Sequence, residues 1–261
     1  MNNDQPQPKL TLDHLVILVK DLDRAVAEYQ SRGFLVMAGG THADGLTHNA
    51  LIVFQDGTYL ELIAFLDPDH TQDNVWGWRR FLASGGGLID YCMASANLAA
   101  DVAAFQAAGL TVSGPTEGGR RRPDGTELRW RSAHFWQAGR ELPFLIEDIT
   151  PRELRVPIGP AAEHPNGALG IRELTIAVAD LERIKTMFGT LLGSLEPQYG
   201  MDHRHDAHTA TFDIDTTKLT LAKPMMLQSP VQYHMEALGL GPWQATLETN
   251  SGGARLLVPL R

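Results

Sequence analysis

The sequence predicts an α+β fold built from repeated βαβββ units, and three observations carry that prediction. The phrase Leu-Asp-His-Leu-Val-Ile-Leu-Val at 12–19 returns as Ile-Arg-Glu-Leu-Thr-Ile-Ala-Val at 171–178, 159 positions later. A weaker copy begins at Leu88. Each copy is an apolar strand that enters a helix through a capping residue, Asp21, Asn97 or Asp180, so one supersecondary unit is used several times.

In the first unit, residues 12–19 read as a strand. Asp21 caps a helix with Leu22, Ala25, Val26 and Tyr29 at helical spacing, and Gly33 ends it. A strand near 34–37, a Gly-rich loop through Gly45, and a strand at 49–54 follow. The Asp56-Gly57 turn then leads into a strand at 58–65. The second unit repeats this order: a strand at 88–94, a helix at 98–108 closed by Gly109, and strands near 110–113, 127–135 and 142–149. Its loop at 114–125 is a hairpin insertion. Pro151, Pro157, Pro160 and Pro165 mark residues 151–167 as a linker. The third unit has a strand at 171–178, a helix at 181–192, and strands at 210–214 and 218–222. A short αββ tail from Pro224 is too brief for a fourth unit. The division is therefore a domain of two units at 8–150 (10–66 and 87–149), the linker, and a third unit with its tail at 168–261.

Composition bounds the function. A chain of 261 residues with 43% hydrophobic content can bury a real core, and its net charge of −9 argues against a nucleic-acid partner. The single cysteine, Cys92, rules out an internal disulfide and fits a reducing compartment. No apolar stretch has the length of a membrane span, and residues 1–8 lack the pattern of a secretory leader. The expected location is cytoplasmic, and the expected partner is a small molecule, with self-association into a homodimer open through the third unit's sheet edge.

The motifs at 12–19, Thr-His-Asn-Ala-Leu-Ile at 47–52, Asp-Gly-Thr-Tyr-Leu-Glu-Leu-Ile-Ala at 56–64 and Leu-Pro-Phe-Leu-Ile-Glu-Asp at 142–148 resemble the vicinal oxygen chelate superfamily, and most closely its glyoxalase-like domain proteins. The resemblance implies that two units pair into a cup whose opening and closing strands aim ligands at one divalent metal, Fe, Mn, Zn, Ni or Co. It implies lyase, isomerase or dioxygenase action on a small oxygenated metabolite, the metal polarising vicinal oxygens. The alternative is a noncatalytic binding or drug-sequestering protein of the same fold without metal.

His14 and Glu61 occupy the family's ligand positions in unit one, and Glu61 sits in a nearly continuous apolar run where an unpaired carboxylate is costly. Asp90 aligns with His14 and is the expected third metal ligand. The closing strand offers only Phe144 or Ile146 where a carboxylate often stands, and Glu147 is out of phase. Pairing of unit one with unit three would substitute Glu173 for Asp90, with Thr220 opposite Glu61. Pairing with unit two follows more directly. Glu61 or His48 would move a proton. Arg129 and Arg131 alternate on a strand and would hold a substrate carboxylate or phosphate if they face inward. His203, His205 and His208 fall in a unit-three loop and read as solvated, as does the loop run Arg120 to Arg122, for which steering of an anionic ligand is the alternative. Trp76 and Trp78 lie between units one and two, where packing competes with a lid over the cup.

Overall fold

The computed structural model describes residues 10–136, 139–250 and 256–258. The first unit comprises β1 (Thr11–Leu18), α1 (Leu22–Ser31), β2 (Met37–His42), β3 (Thr47–Val53) and β4 (Tyr59–Phe65). The second comprises β5 (Gly87–Ala94), α2 (Leu98–Ala107), β6 (Val112–Arg121), β7 (Glu127–Phe135) and β8 (Phe144–Asp148). A short helix, α3 (Arg152–Arg155), interrupts the connection. The third unit and tail comprise β9 (Ala168–Ala177), α4 (Leu181–Leu191), β10 (Gln198–Asp202), β11 (Ala207–Ile214), β12 (Thr217–Pro224), α5 (Pro230–Leu238), β13 (Gly241–Thr249) and β14 (Leu256–Val258). The helix entries form as the repeat requires. Asp21, Asn97 and Asp180 each accept a hydrogen bond from the backbone N–H three residues on, at Arg24, Ala100 and Arg183.

Units one and two close an eight-stranded barrel in the order β1-β4-β3-β2-β6-β7-β8-β5. The seams between them are the antiparallel pairs β1–β5 and β2–β6. Unit three forms a separate sheet, β10-β11-β12-β9-β13-β14. The tail strand β13 takes beside β9 the place that β5 takes beside β1. Helices α1, α2 and α4 cover the outer faces of barrel and sheet around one large core that includes Leu15, Leu62, Tyr91, Phe105, Leu174 and Phe188. The barrel interior is thereby left for a cavity, beside which Trp78, Phe81, Ile89 and Phe144 belong to a second packed cluster. In the third sheet the corresponding space is filled by α5, whose Val231 packs with Ala177, Ala207, Ala222 and Trp243.

Two strands depart from the sequence expectation in the same way. The Gly-rich segment after residue 37 is strand β2, and the start of the expected insertion at 114–125 is strand, with β6 running to Arg121. The glycines there make room for inward side chains instead of making turns. A Cβ on Gly39 would overlap Asn49 Oδ1 and Arg120 Nη1, and one on Gly118 would press into the indole of Trp130. A β-bulge supplies a further irregularity. Leu12 pairs with Met93 and His14 with Cys92, which leaves Asp13 as the extra residue. The side chains of Asp13 and His14 thus meet instead of pointing to opposite faces. Among the described residues no helix is long and apolar enough to cross a membrane.

Candidate functional site

The barrel encloses a cavity of about 580 Å³ with a polar floor and an aromatic wall. Each floor residue comes from a different strand. His14 stands on β1, its ring stacked on Tyr59 of β4 at 4.5 Å and meeting the edge of Phe144 at 5.4 Å. Glu61 follows two residues along β4. Its Oε2 lies 3.5 Å from His14 Nε2, and its Oε1 lies 3.5 Å from Nε2 of His42, on β2. Asn49 of β3 donates to Glu61 Oε1 at 2.5 Å. Arg120 of β6 is the cross-strand partner of His42 at the β2–β6 seam, and it donates to Asn49 Oδ1 at 3.2 Å. Burial pushes the Glu61 carboxyl up, but the hydrogen bond from His42, the charges of His14 and His42 and the Asn49 amide outweigh it. Its pKa falls to about 2.

Behind the floor lies an ion-pair cluster. Asp13, fully buried, accepts from Arg155 Nη1 at 2.9 Å and Nη2 at 3.1 Å, from Arg152, and from His14 Nδ1 at 2.6 Å. Arg155 also donates from Nε to Asp148 at 2.6 Å and from Nη1 to the Tyr59 hydroxyl at 2.7 Å. Burial alone would raise the Asp13 carboxyl, but Arg155 and His14 hold it well below the usual carboxylate range. Both arginines come from α3, inside the segment that reads as a linker.

The wall is supplied by β7 and β8 and by the connection between the two units. Trp130, His134, Trp136, Phe144 and Ile146 line it together with Trp76 and Trp78, whose rings stack at 5.7 Å. His134 touches Trp76 and Trp136 at 5.5 and 4.5 Å, and its buried Nδ1 has no hydrogen-bond partner among the described residues.

Of the residues expected from sequence, His14 and Glu61 meet on the floor, and the others lie elsewhere. Asp90 is buried outside the cavity lining, accepting from the Trp78 indole at 2.8 Å and from its own neighbour's backbone, Tyr91 N, at 2.9 Å. Burial raises its pKa to about 6. His48 is not in the lining. Thr47, Asn49 and Leu51 of the same strand are, so the inward phase of β3 is one residue removed. Arg129 and Arg131 point outward, paired with Glu117 at 2.6 Å and Glu147 at 3.4 Å, while Trp130 between them faces in. Arg120 is buried, contrary to its reading as a solvated loop residue. Of Phe144 and Ile146, the register makes Phe144 the counterpart of Glu61, since it pairs with Cys92 as Glu61 pairs with Val16. In unit three, Thr220 donates to Glu173 at 2.9 Å, away from the barrel. His205 pairs with Asp202 at 2.7 Å and meets Trp243 edge-on. The floor roles of His42, Asn49 and Arg155 were not foreseen, and Arg120 was placed on a loop; for His42 and Arg120 the reason lies in the glycines of β2 and β6. Gly39-Gly40 and Gly118-Gly119 disguised their strands as loops.

The donor types on the floor fit a divalent ion, two imidazoles and a carboxylate being a recurrent set for first-row metals. A carboxylate on the far nitrogen of His14 is the usual support for an imidazole ligand. A tighter trio, Asp13, His14 and Cys92, has ligand atoms within 4.8 Å of one another. Its carboxylate is already engaged by two guanidiniums, however, and burial pushes the Cys92 thiol well above its usual value.

An eight-stranded barrel of two βαβββ units, with imidazole and carboxylate on the opening and closing strands of the first, defines a vicinal oxygen chelate protein. The chain belongs to the glyoxalase-like domain family, whose model matches residues 12–192, from β1 to the end of α4. No curated protein sequence matches it. Among solved structures, a hypothetical protein from Staphylococcus aureus is similar with a TM-score of 0.64 at 15% identity, over 83% of this chain and 87% of that one. A mutant 4-hydroxymandelate synthase from Streptomyces coelicolor is similar at 0.58 and 14% identity, over 90% and 69%. A fusion of a xylose isomerase-like TIM barrel with 4-hydroxyphenylpyruvate dioxygenase is similar at 0.51 and 15% identity, over 93% and 37%. At these identities the likeness is one of fold.

Proposed function

We propose that the cup is the active site of a glyoxalase-like enzyme acting on a small oxygenated metabolite, with His14, Glu61 and His42 holding a divalent metal. One observation carries this reading. Asp13, held below the usual carboxylate range, accepts from His14 Nδ1 and so turns the ring's Nε2 toward Glu61. Nε2 of His14 and Nε2 of His42 each lie 3.5 Å from an oxygen of Glu61. Two imidazole nitrogens set around one buried carboxylate are a donor set suited to a divalent cation. A divalent ion there would supply Lewis-acid polarisation of two vicinal substrate oxygens.

The protein's own groups do the rest. Asp13 orients His14, and the stacked Tyr59 fixes the plane of its ring. Glu61, ionised down to about pH 2, serves as a ligand and a fixed negative charge. So low a pKa makes it a poor general base near neutrality. Asn49 ties Glu61 to Arg120, and the tryptophans exclude water from one side of the substrate.

Phe144 and the withdrawal of Asp90 behind Trp78 support a second reading, a metal-free cup that sequesters a small molecule. Elemental analysis of protein purified without chelator separates the two. Near one equivalent of transition metal, lost in both His14→Ala and Glu61→Gln, is the expected result. No uptake even after reconstitution with Mn, Fe, Ni or Zn would leave the binding reading.

A further inference from the structure

The floor carries three buried or half-buried arginines, and two of them have counter-ions. Arg152 and Arg155 are matched by Asp13 and Asp148. Arg120 is 5% exposed and lines the cavity. Its hydrogen bonds go to two neutral oxygens, Asn49 Oδ1 and the backbone carbonyl of Arg155, each at 3.2 Å, and no carboxylate pairs with it among the described residues. A guanidinium kept out of water with no carboxylate in direct contact, only Glu61 acting on it from across Asn49, leaves a place that an anionic ligand can complete. The glycine at position 39 keeps open the space that Asn49 and the Arg120 head group occupy.

The rest of the cavity says what else the ligand carries. The wall facing this floor is aromatic, from Trp76, Trp78, Trp130, Trp136 and Phe144. It also holds His134 Nδ1, a buried nitrogen lacking a partner, which a polar substituent on the ligand would satisfy. Arg120 brings one positive charge to the cavity, and Glu61, which Asn49 links to it, is a carboxylate in the same floor. A dianion would bring a second negative charge toward Glu61.

We infer that the cup selects a flat aromatic monocarboxylate, its carboxylate paired with Arg120 and its ring against the tryptophan wall. Arg120 is thus the specificity-determining residue. This names the substrate class for the site proposed above. It rests on that cavity being the ligand site and does not depend on a metal.

The test is isothermal titration calorimetry with 1-naphthylacetate and its neutral counterpart 1-naphthylacetamide, on chelator-treated protein. The parent should bind the acid at least about tenfold more tightly than the amide, as a charge-assisted bond to a desolvated guanidinium warrants. Arg120→Met should abolish the preference, Arg120→Lys should retain part of it, and Arg129→Met, on the outer face, should leave it intact. Equal affinity of the parent for acid and amide, binding of neither, or a preference that survives in Arg120→Met would overturn the inference. Should Arg120→Met fail to fold, the parent comparison and Arg120→Lys still decide. Metal content, measured separately, keeps the two proposals apart. Metal-free protein with an intact acid preference sinks only the metal reading, and metal-bound protein without the preference sinks only this one.

Discussion

At the scale of single residues, the site depends on which charges are matched. Asp13 is buried but surrounded by donors, so its carboxyl is held down. Asp90 is buried with one indole and one backbone N–H, so its carboxyl is pushed up to about 6. The consequence for stability runs opposite to that of a salt-bridged acid. With a folded-state pKa above the unfolded 3.8, Asp90 does no harm at low pH. It costs stability as pH rises from about 4 to 6, by about 3 kcal/mol once fully ionised. Asp90→Asn keeps an oxygen for Trp78 but loses an acceptor for Tyr91 N. It should therefore raise the urea-unfolding free energy at pH 7 by about 1–3 kcal/mol. The advantage over the parent should shrink between pH 7 and pH 4.5. An advantage of the same size at both values would show that ionisation is not its origin.

At the scale of elements, strands β2 and β6 decide what faces the cup. They meet at the seam between the two units, where His42 stands opposite Arg120. Each contains a Gly-Gly pair that lets bulky groups pass over the sheet. Gly39→Ala should cost about 1–3 kcal/mol through overpacking against Asn49 and Arg120, and should weaken ligand binding with it. The same change at Gly189, in α4, adds a Cβ with no atom within 4 Å. It should instead stabilise by roughly 0.5–1 kcal/mol through helix propensity. Paired thermal melts would check this, and the same sign at both positions would contradict the account of β2. Those glycine pairs are also why the sequence pointed to loops. A Gly-rich stretch signals a turn far more often than a strand making room for an arginine, and only the neighbouring strands reveal which it is.

At the scale of the whole molecule, the repeat is used once as a working cup and once as a plugged one. In the third sheet Glu173 and Thr220 occupy the positions of His14 and Glu61, and their side chains bond to each other and, from Thr220, to Thr211. There α5 fills the concave face. Val231, fully buried under that helix, tests the plug. Val231→Ala should cost about 2 kcal/mol by lost burial and residual cavity, while metal uptake and ligand binding in the barrel stay unchanged. A loss of binding equal to that of a floor variant would mean that the two halves are coupled through the shared core.

The sequence by itself determined the repeated units, their helix caps, the counterparts of His14 in the other units, and the family. Strand periodicity, capping and repeat spacing are all local features of the chain. Tertiary structure decided which side chains form the floor. A bulge at Asp13, the one-residue phase that selects Asn49 over His48, and the turn of α3 that returns Arg155 to Asp13 each depend on pairing between distant segments. A shift of one residue in a strand moves a side chain from the cavity to the outer face.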